Sequence, residues 1–175
     1  MANRERLLDV AMTAVLRDGE KIPMATIAAE AGVGVGTLYR HFPTRELLLA
    51  ALVERSFALV LENARHAAAL DGTALAAVRE FMHRALRDRD RFVLPLHGGP
   101  PTLNAEIAAL RAEVRVVLQT ILDRGVAAGE VRDDVTPIDI IVAAALLSRP
   151  LPNVERWDDI AARQIELFLA GISRR

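Results

Sequence analysis

The stretch whose reading decides the fold is Ile27-Ala28-Ala29-Glu30-Ala31-Gly32-Val33-Gly34-Val35-Gly36-Thr37-Leu38-Tyr39-Arg40-His41-Phe42. Its residue types predict two short helices that cross steeply around a tight glycine turn. Ala28 and Ala31 are small enough to let the second helix approach the first. Gly32 supplies a backbone conformation that residues with a Cβ adopt only at a cost. Val33, Leu38 and Phe42 are expected to point inward, since a spacing of four places Leu38 and Phe42 on one helix face. The outer face then holds Val35, Gly36, Thr37, Tyr39, Arg40 and His41. It offers a hydroxyl, a phenol, a guanidinium and an imidazole, groups suited to phosphates and base edges. On these residues alone two readings stand level: a DNA-reading helix-turn-helix, or a plain helical hairpin of a bundle with Tyr39 and His41 on its surface.

Helical signals continue on both sides of this stretch, and strand signals are nearly missing. Upstream, Leu7, Leu8, Ala11 and Val15 recur at helical spacing and Gly19 ends the segment. Pro23 is placed to start the next helix. Downstream, Pro43-Thr44 punctuates the chain, and Thr44 is positioned to cap a long helix from about Arg45 to Leu70. Asp71-Gly72-Thr73 separates it from a helix running to about Asp88. The breaker-rich Leu94-Pro95-Leu96-His97-Gly98-Gly99-Pro100-Pro101 reads as an irregular loop. A helix from about Leu103 to Ala127 follows, ended by Gly129. Thr136 and Pro137 open a helix to about Leu147 that is apolar almost all round, a pattern that requires burial on more than one side. A last amphipathic helix is expected from about Val154 to Ile172. The fold class is therefore all-α: three helices over residues 1–46, then a longer helical domain over 47–175.

Composition narrows the setting. The chain has 175 residues, of which 52% are hydrophobic, so it has material for a sizeable core. No apolar run is long enough to cross a membrane, and the charged N-terminus lacks the apolar stretch of a signal peptide. With no cysteine, disulfide and thiolate chemistry are excluded, and a cytoplasmic setting is expected. Residues 1–46 balance six basic side chains (Arg4, Arg6, Arg17, Lys21, Arg40, Arg45) against six acidic ones (Glu5, Asp9, Asp18, Glu20, Glu30, Glu46). The distribution is uneven, however. From Ala31 to Arg45 there are two arginines, one histidine and no acid. That local face governs phosphate contact more than the total does.

Residues 4–53 resemble the N-terminal domain of the TetR family of bacterial transcriptional regulators. The similarity is carried by Arg4-Glu5-Arg6-Leu7-Leu8-Asp9-Val10-Ala11, Ile27-Ala28, Ala31-Gly32-Val33, and Gly36-Thr37-Leu38-Tyr39-Arg40-His41-Phe42-Pro43-Thr44-Arg45-Glu46-Leu47. By that resemblance Val35 to Phe42 is the recognition helix. Gly36, Thr37, Tyr39, His41 and Arg45 stand where family members meet phosphates or bases, and Thr26 where some reach DNA from the preceding helix. Pro23, Gly34 and Val35 depart from the pattern. Pro23 replaces a Ser or Thr cap, Gly34 a frequent Ser, and Val35 a frequent Lys or polar residue. Val35 offers apolar contact to a thymine methyl in place of a phosphate contact.

The second domain resembles the family more faintly, through Val126-Ala127-Ala128-Gly129-Glu130-Val131-Arg132-Asp133-Asp134, similar to a turn found before the last two helices in many members. The resemblance implies that those helices pair with their copies into a four-helix dimer interface, here with Ile141, Leu146, Ile165, Phe168 and Ile172. It also implies a small-molecule site lined by Phe57, Leu61, Phe81, Met82, Leu86, Phe92, His97 and Leu118, although for each of these taken singly plain core is the stronger reading. Aromatic residues make up 4% of the chain, so an aromatic cage for a cation is not expected. The expected partners are palindromic operator DNA, a second copy of the chain and a mostly apolar inducer. The competing reading is a DNA-binding regulator without an inducer.

Other motifs carry less. Gly32-x-Gly34-x-Gly36 follows a helical pattern rather than a strand, against a dinucleotide site. His97-Gly98-Gly99 has no accompanying nucleophile elbow. His66, His83 and His97 lack metal-ligand spacing, so no metal and no cofactor is expected, and no nucleophile–base pair suggests an enzyme.

Overall fold

A computed structural model describes residues 2–93 and 104–174. Within them the chain forms α1 (Ala2–Asp18), α2 (Met24–Glu30), α3 (Val35–His41), α4 (Arg45–Ala68), α5 (Ala74–Arg87), α6 (Ala105–Ala127), α7 (Pro137–Leu147) and α8 (Trp157–Ile172), with a 3-10 turn at Arg89–Arg91. The architecture is all-helical. Two compact units are present, one of Met1–Phe57 with Asp90–Ala108, the other of Ala58–Arg89 with Ala109–Arg175.

The first unit is built around α1, α2, α3 and the start of α4. Leu7, Leu8, Ala11 and Val15 from α1 join Ile27 and Ala28 from α2, Leu38 from α3, Phe42, and Leu48, Leu52 and Val53 from α4 in one buried cluster. Val93 and Ile107 complete it. Gly32 lies at φ +65°, the left-handed conformation that lets the chain pass from the end of α2 to the start of α3 with only four residues between them. Ser56 fixes the returning segment: its Oγ donates to the Leu52 carbonyl at 2.8 Å and accepts from the Val93 amide at 2.9 Å. Thr44 caps α4 as expected, its Oγ1 accepting from the Leu47 amide at 3.2 Å.

In the second unit α5, α7 and α8 pack against one another. Phe81, Met82 and Leu86 of α5 are buried, as are Ile140 and Ala144 of α7, and Ile165, Leu169 and Ile172 of α8. Val114, Leu118, Ile121 and Leu122 form the buried stripe of α6, at the three- and four-residue spacing of one helix face. The turn after α6 ties three helix ends together. Glu130 Oε2 accepts from the Ala74 amide at 2.7 Å and so serves the N-terminus of α5. Arg132 donates from its amide to the Ile172 carbonyl at 3.0 Å and from its guanidinium to the Gly171 carbonyl at 3.2 Å, closing the C-terminus of α8. Gly125 lets this turn approach: a Cβ there would stand 2.6 Å from Ala74 Cβ and from Val131 Cγ2. Gly125→Ala is accordingly expected to destabilise the protein by about 1–3 kcal/mol through overpacking, outweighing the helix-propensity gain of roughly 1 kcal/mol. Urea titration of the two proteins checks it.

The boundaries differ from expectation in three places. The last helix starts at Trp157 rather than near Val154, because Asn153 (φ 61°) and Arg156 (φ 55°) both adopt left-handed backbone. Trp157 is anchored across this loop, its Nε1 donating to the Leu147 carbonyl at 2.8 Å. Helix α6 starts at Ala105 because Asn104 caps it, accepting from the Ile107 amide at 2.8 Å. Helix α4 ends at Ala68, two residues early. Thr136 does precede α7, donating from its amide and hydroxyl to the Asp139 carboxylate at 2.8 and 2.6 Å. These two bonds hold the Asp139 carboxyl below the usual carboxylate range.

Candidate nucleic-acid interface

Helix α3 is held by what it buries. Leu38 is fully buried and Phe42, at the C-cap, is buried beside it, so the opposite side of the seven-residue helix must face outward. Tyr39 is 44% exposed and Val35 40%, Arg40 and His41 are exposed, and Thr37 is half-buried. Thr26 on α2 is also half-buried. Gly36 has open space around its missing Cβ. Six of the seven positions anticipated for DNA, all but Arg45, therefore lie along α3 or on α2 beside it. The Tyr39 hydroxyl and the His41 ring make no hydrogen bond or ion pair among the described residues. His41 packs at a tilt on Phe42, with ring centroids 6.5 Å apart. The Arg4 guanidinium also lies over this anchor, 5.3 Å from the Phe42 ring centre.

Arg45 departs from the expectation. It is half-buried, and its Nη1 donates to the carbonyls of Glu20 (3.0 Å) and Ile22. The first residue of α4 thus clamps the α1–α2 connection. Bonds from a charged donor contribute about 1.5–3 kcal/mol each at most. Arg45→Ala is expected to lower the melting temperature of the first unit, whereas loss of a simple surface residue leaves it within experimental error. Thermal unfolding followed by circular dichroism reads the difference.

In the second unit, the residues anticipated for an interface divide into two sets. Leu146 is 67% exposed, and Ile141 and Phe168 are half-buried. Ile165 and Ile172 instead belong to the unit's own core, because they share the α8 face that packs on α5 and α7. The free face of α8 carries Ile160 and Leu167, the latter 53% exposed. On α7 the outward stripe is Ile138, Val142 and Leu146, each four residues from the next. An open groove lined by Arg115, Val116, Gln119, Thr136, Pro137 and Ile138 adjoins that stripe at Ile138.

Among the anticipated ligand-lining residues, Leu61, Phe81, Met82, Leu86 and Leu118 are buried in the second unit. Phe92 is buried and Phe57 half-buried in the first unit. His97 lies outside the described residues. A polar cluster missed in the sequence sits two residues from Leu61. Asn63 is buried, its Oδ1 accepting from Arg84 Nε at 2.8 Å and its Nδ2 donating to Asp88 Oδ2 at 2.9 Å. Nothing in the sequence spacing marked it, since Asn63 meets Arg84 and Asp88 only when α4 and α5 are side by side. Among the described residues no group of three or more His, Asp or Glu is placed to hold a metal, and no helix is long and apolar enough to cross a membrane.

A small helix presented outward by a glycine turn and a buried Leu–Phe pair is compatible with nucleic-acid reading, and comparison with known families decides for it. Residues 7–52 match the family model of bacterial regulatory proteins of the tetR family, and residues 66–174 match that of the C-terminal domain of SbtR-like transcriptional regulators. The chain belongs to the TetR family. As a TetR-family protein it is a DNA-binding transcriptional regulator and not an enzyme. It is 26% identical over 157 residues to the HTH-type transcriptional repressor KstR of Mycobacterium tuberculosis, covering 87% of this chain and 71% of that protein. A TetR-family regulatory protein from Rhodococcus RHA1 has the same fold, with a TM-score of 0.80 at 22% identity over 100% of this chain and 99% of that one. AibR, in its complex with isovaleryl coenzyme A and operator DNA, shares it too, with a TM-score of 0.75 at 16% identity over 94% and 97% of the two chains.

Proposed function

We propose that this TetR-family protein is a homodimeric repressor that occupies a palindromic operator and leaves it when a small, mostly apolar molecule binds its second domain. The observation that carries the DNA-binding half is the outward face of α3, where Thr37, Tyr39, Arg40 and His41 stand with no carboxylate paired to them among the described residues. A DNA-bound regulator of this kind works in the cytoplasm. The repressor assignment is supported by the name of its relative KstR.

Dimerisation is supported by surplus apolar surface. Ile138, Val142 and Leu146 on α7 and Ile160 and Leu167 on α8 are exposed, more than one protomer alone would leave in water. A second copy applied there would bury them. Two recognition helices, related by a two-fold axis, would then enter successive major grooves roughly 34 Å apart.

Ligand control is supported by the composition of the second unit and by AibR, which was captured with both an acyl-coenzyme A and operator DNA. Leu61, Phe81, Met82, Leu86 and Leu118 are buried, so a ligand would enter by displacing part of their packing, with Asn63 and Arg84 as a polar end. Only Pro43 and Thr44 separate the recognition-helix residues ending at Phe42 from α4, the helix that also carries Leu61. A molecule that repacks Leu61 therefore acts on the helix to which α3 is linked. Couplings of this type change affinity by about 5- to 150-fold. The test is an operator-release screen against apolar acids, acyl thioesters and sterols. Release in that range supports the reading, while no release by any compound leaves a regulator without an inducer.

A further inference from the structure

We propose that Arg40 is the base-reading residue of this protein and that it reads a guanine in each operator half-site. The inference rests on the DNA-binding role of α3 and adds the residue and the base. Successive residues of a helix turn by about 100°, so a side chain two positions from another points roughly 160° away from it. Arg40 stands two residues after the fully buried Leu38 and two before the buried Phe42. It is therefore opposite both anchors at once, at the centre of the outward face. Tyr39 and His41 are each about 100° to either side of it and flank that centre. Gly36, one turn earlier, also lies opposite Leu38 and has open space where a Cβ would be. The middle of the face is thus a bare backbone patch with one long cationic fork beside it.

The guanidinium lies across that patch. Arg40 Nε donates to the Gly36 carbonyl and Nη2 to Thr37 Oγ1, both at 3.4 Å. These are long contacts, near the outer limit of hydrogen bonding, and are readily exchanged for shorter ones. Among the described residues no carboxylate pairs with Arg40, in contrast to Arg17, which is bound by Asp18 and Glu30. A helix that enters the major groove with a glycine at its centre approaches the base edges closely. A planar fork with parallel donors at that depth matches O6 and N7 of guanine, the pair of acceptors that no other base presents. Tyr39 and His41, set to the sides, are left for phosphates, which position the helix without reading sequence.

The experiment is selection of duplexes from a randomised pool by the full-length protein, its Arg40→Ala variant and its Arg40→Lys variant, followed by affinity measurements over a salt series. Arg40 is exposed, and circular dichroism confirms that each variant is folded. The wild type is expected to select a symmetric pair of G·C base pairs, one per half-site. Arg40→Ala is expected to lose preference at that pair alone by roughly 10- to 100-fold, with the slope of log affinity against log salt unchanged. Arg40→Lys keeps the charge but not the fork and is expected to lose most of the same preference. If Arg40→Ala instead weakens binding equally on every sequence and lowers the salt slope by about one, Arg40 is a phosphate contact and the proposal fails. An unchanged preference also overturns it. If the wild type selects no sequence at all, the reading of α3 itself fails.

Discussion

Replacing Leu146 and Leu167 together with aspartate is expected to convert the protein to monomers and to weaken operator binding by about 10²- to 10⁴-fold, the gain that two linked binding modules ordinarily provide. Both side chains stand outward from the second unit, 67% and 53% exposed, on helices whose other faces are buried in that unit. They contribute nothing to the protomer core, so aspartate there leaves folding intact. In a dimer the same positions would place four carboxylates in an apolar interface, and each unpaired buried charge costs several kcal/mol. Ile165→Asp serves as the contrast. Ile165 is fully buried within the protomer, and its substitution is expected to unfold the unit rather than yield soluble monomers. Analytical ultracentrifugation of the double variant, with operator titration on the same sample, decides the matter. A double variant that remains dimeric would locate the interface elsewhere.

Phe42→Ala is expected to abolish operator binding through the scaffold of α3 rather than through any contact. Phe42 is buried in the cluster that joins α1, α2 and α4, and Arg4 and His41 pack on its ring. Truncation of a buried phenylalanine costs about 3–5 kcal/mol, a large share of the 5–15 kcal/mol by which domains are stable. The backbone amide of Phe42 bonds the Leu38 carbonyl at 2.8 Å, so loosening the ring also frays the end of the recognition helix. Hydrogen exchange is expected to show faster amide exchange over residues 24–42 with the second unit little changed. Normal protection there together with normal operator affinity would contradict the packing described.

The fold was largely legible because its punctuation is local. Gly32, Pro43-Thr44, Thr73 and Thr136-Pro137 each act within three or four residues, and each marks a helix end in the structure. The start of the last helix was not legible. It depends on left-handed backbone at Asn153 and Arg156 and on the Trp157 indole reaching the Leu147 carbonyl ten residues away. The recognition helix could be read because Leu38 and Phe42 fix its inward face. The same spacing sets Arg40 opposite both anchors, but that it lies free of any carboxylate among the described residues needed the packed fold. Arg45 illustrates the same limit. Its charge suggests a phosphate, whereas the carbonyls of Glu20 and Ile22 that hold it lie more than twenty residues earlier. On α8, apolar residues on opposite faces look alike in the sequence. Only packing against α5 and α7 separates Ile165 and Ile172, turned inward, from Ile160 and Leu167, turned out.

In the proposed mode of action two copies of α3, on one two-fold dimer, read successive major grooves. It is tested most directly by measuring the stoichiometry and spacing of the wild-type protein on its selected operator, by ultracentrifugation of the complex and hydroxyl-radical footprinting. The predicted result is two protomers per duplex and two footprints related by a dyad, centred about 10 base pairs or a multiple of that apart, with affinity falling steeply with salt. A single protomer on a single half-site, bound as tightly as the full operator, would contradict it.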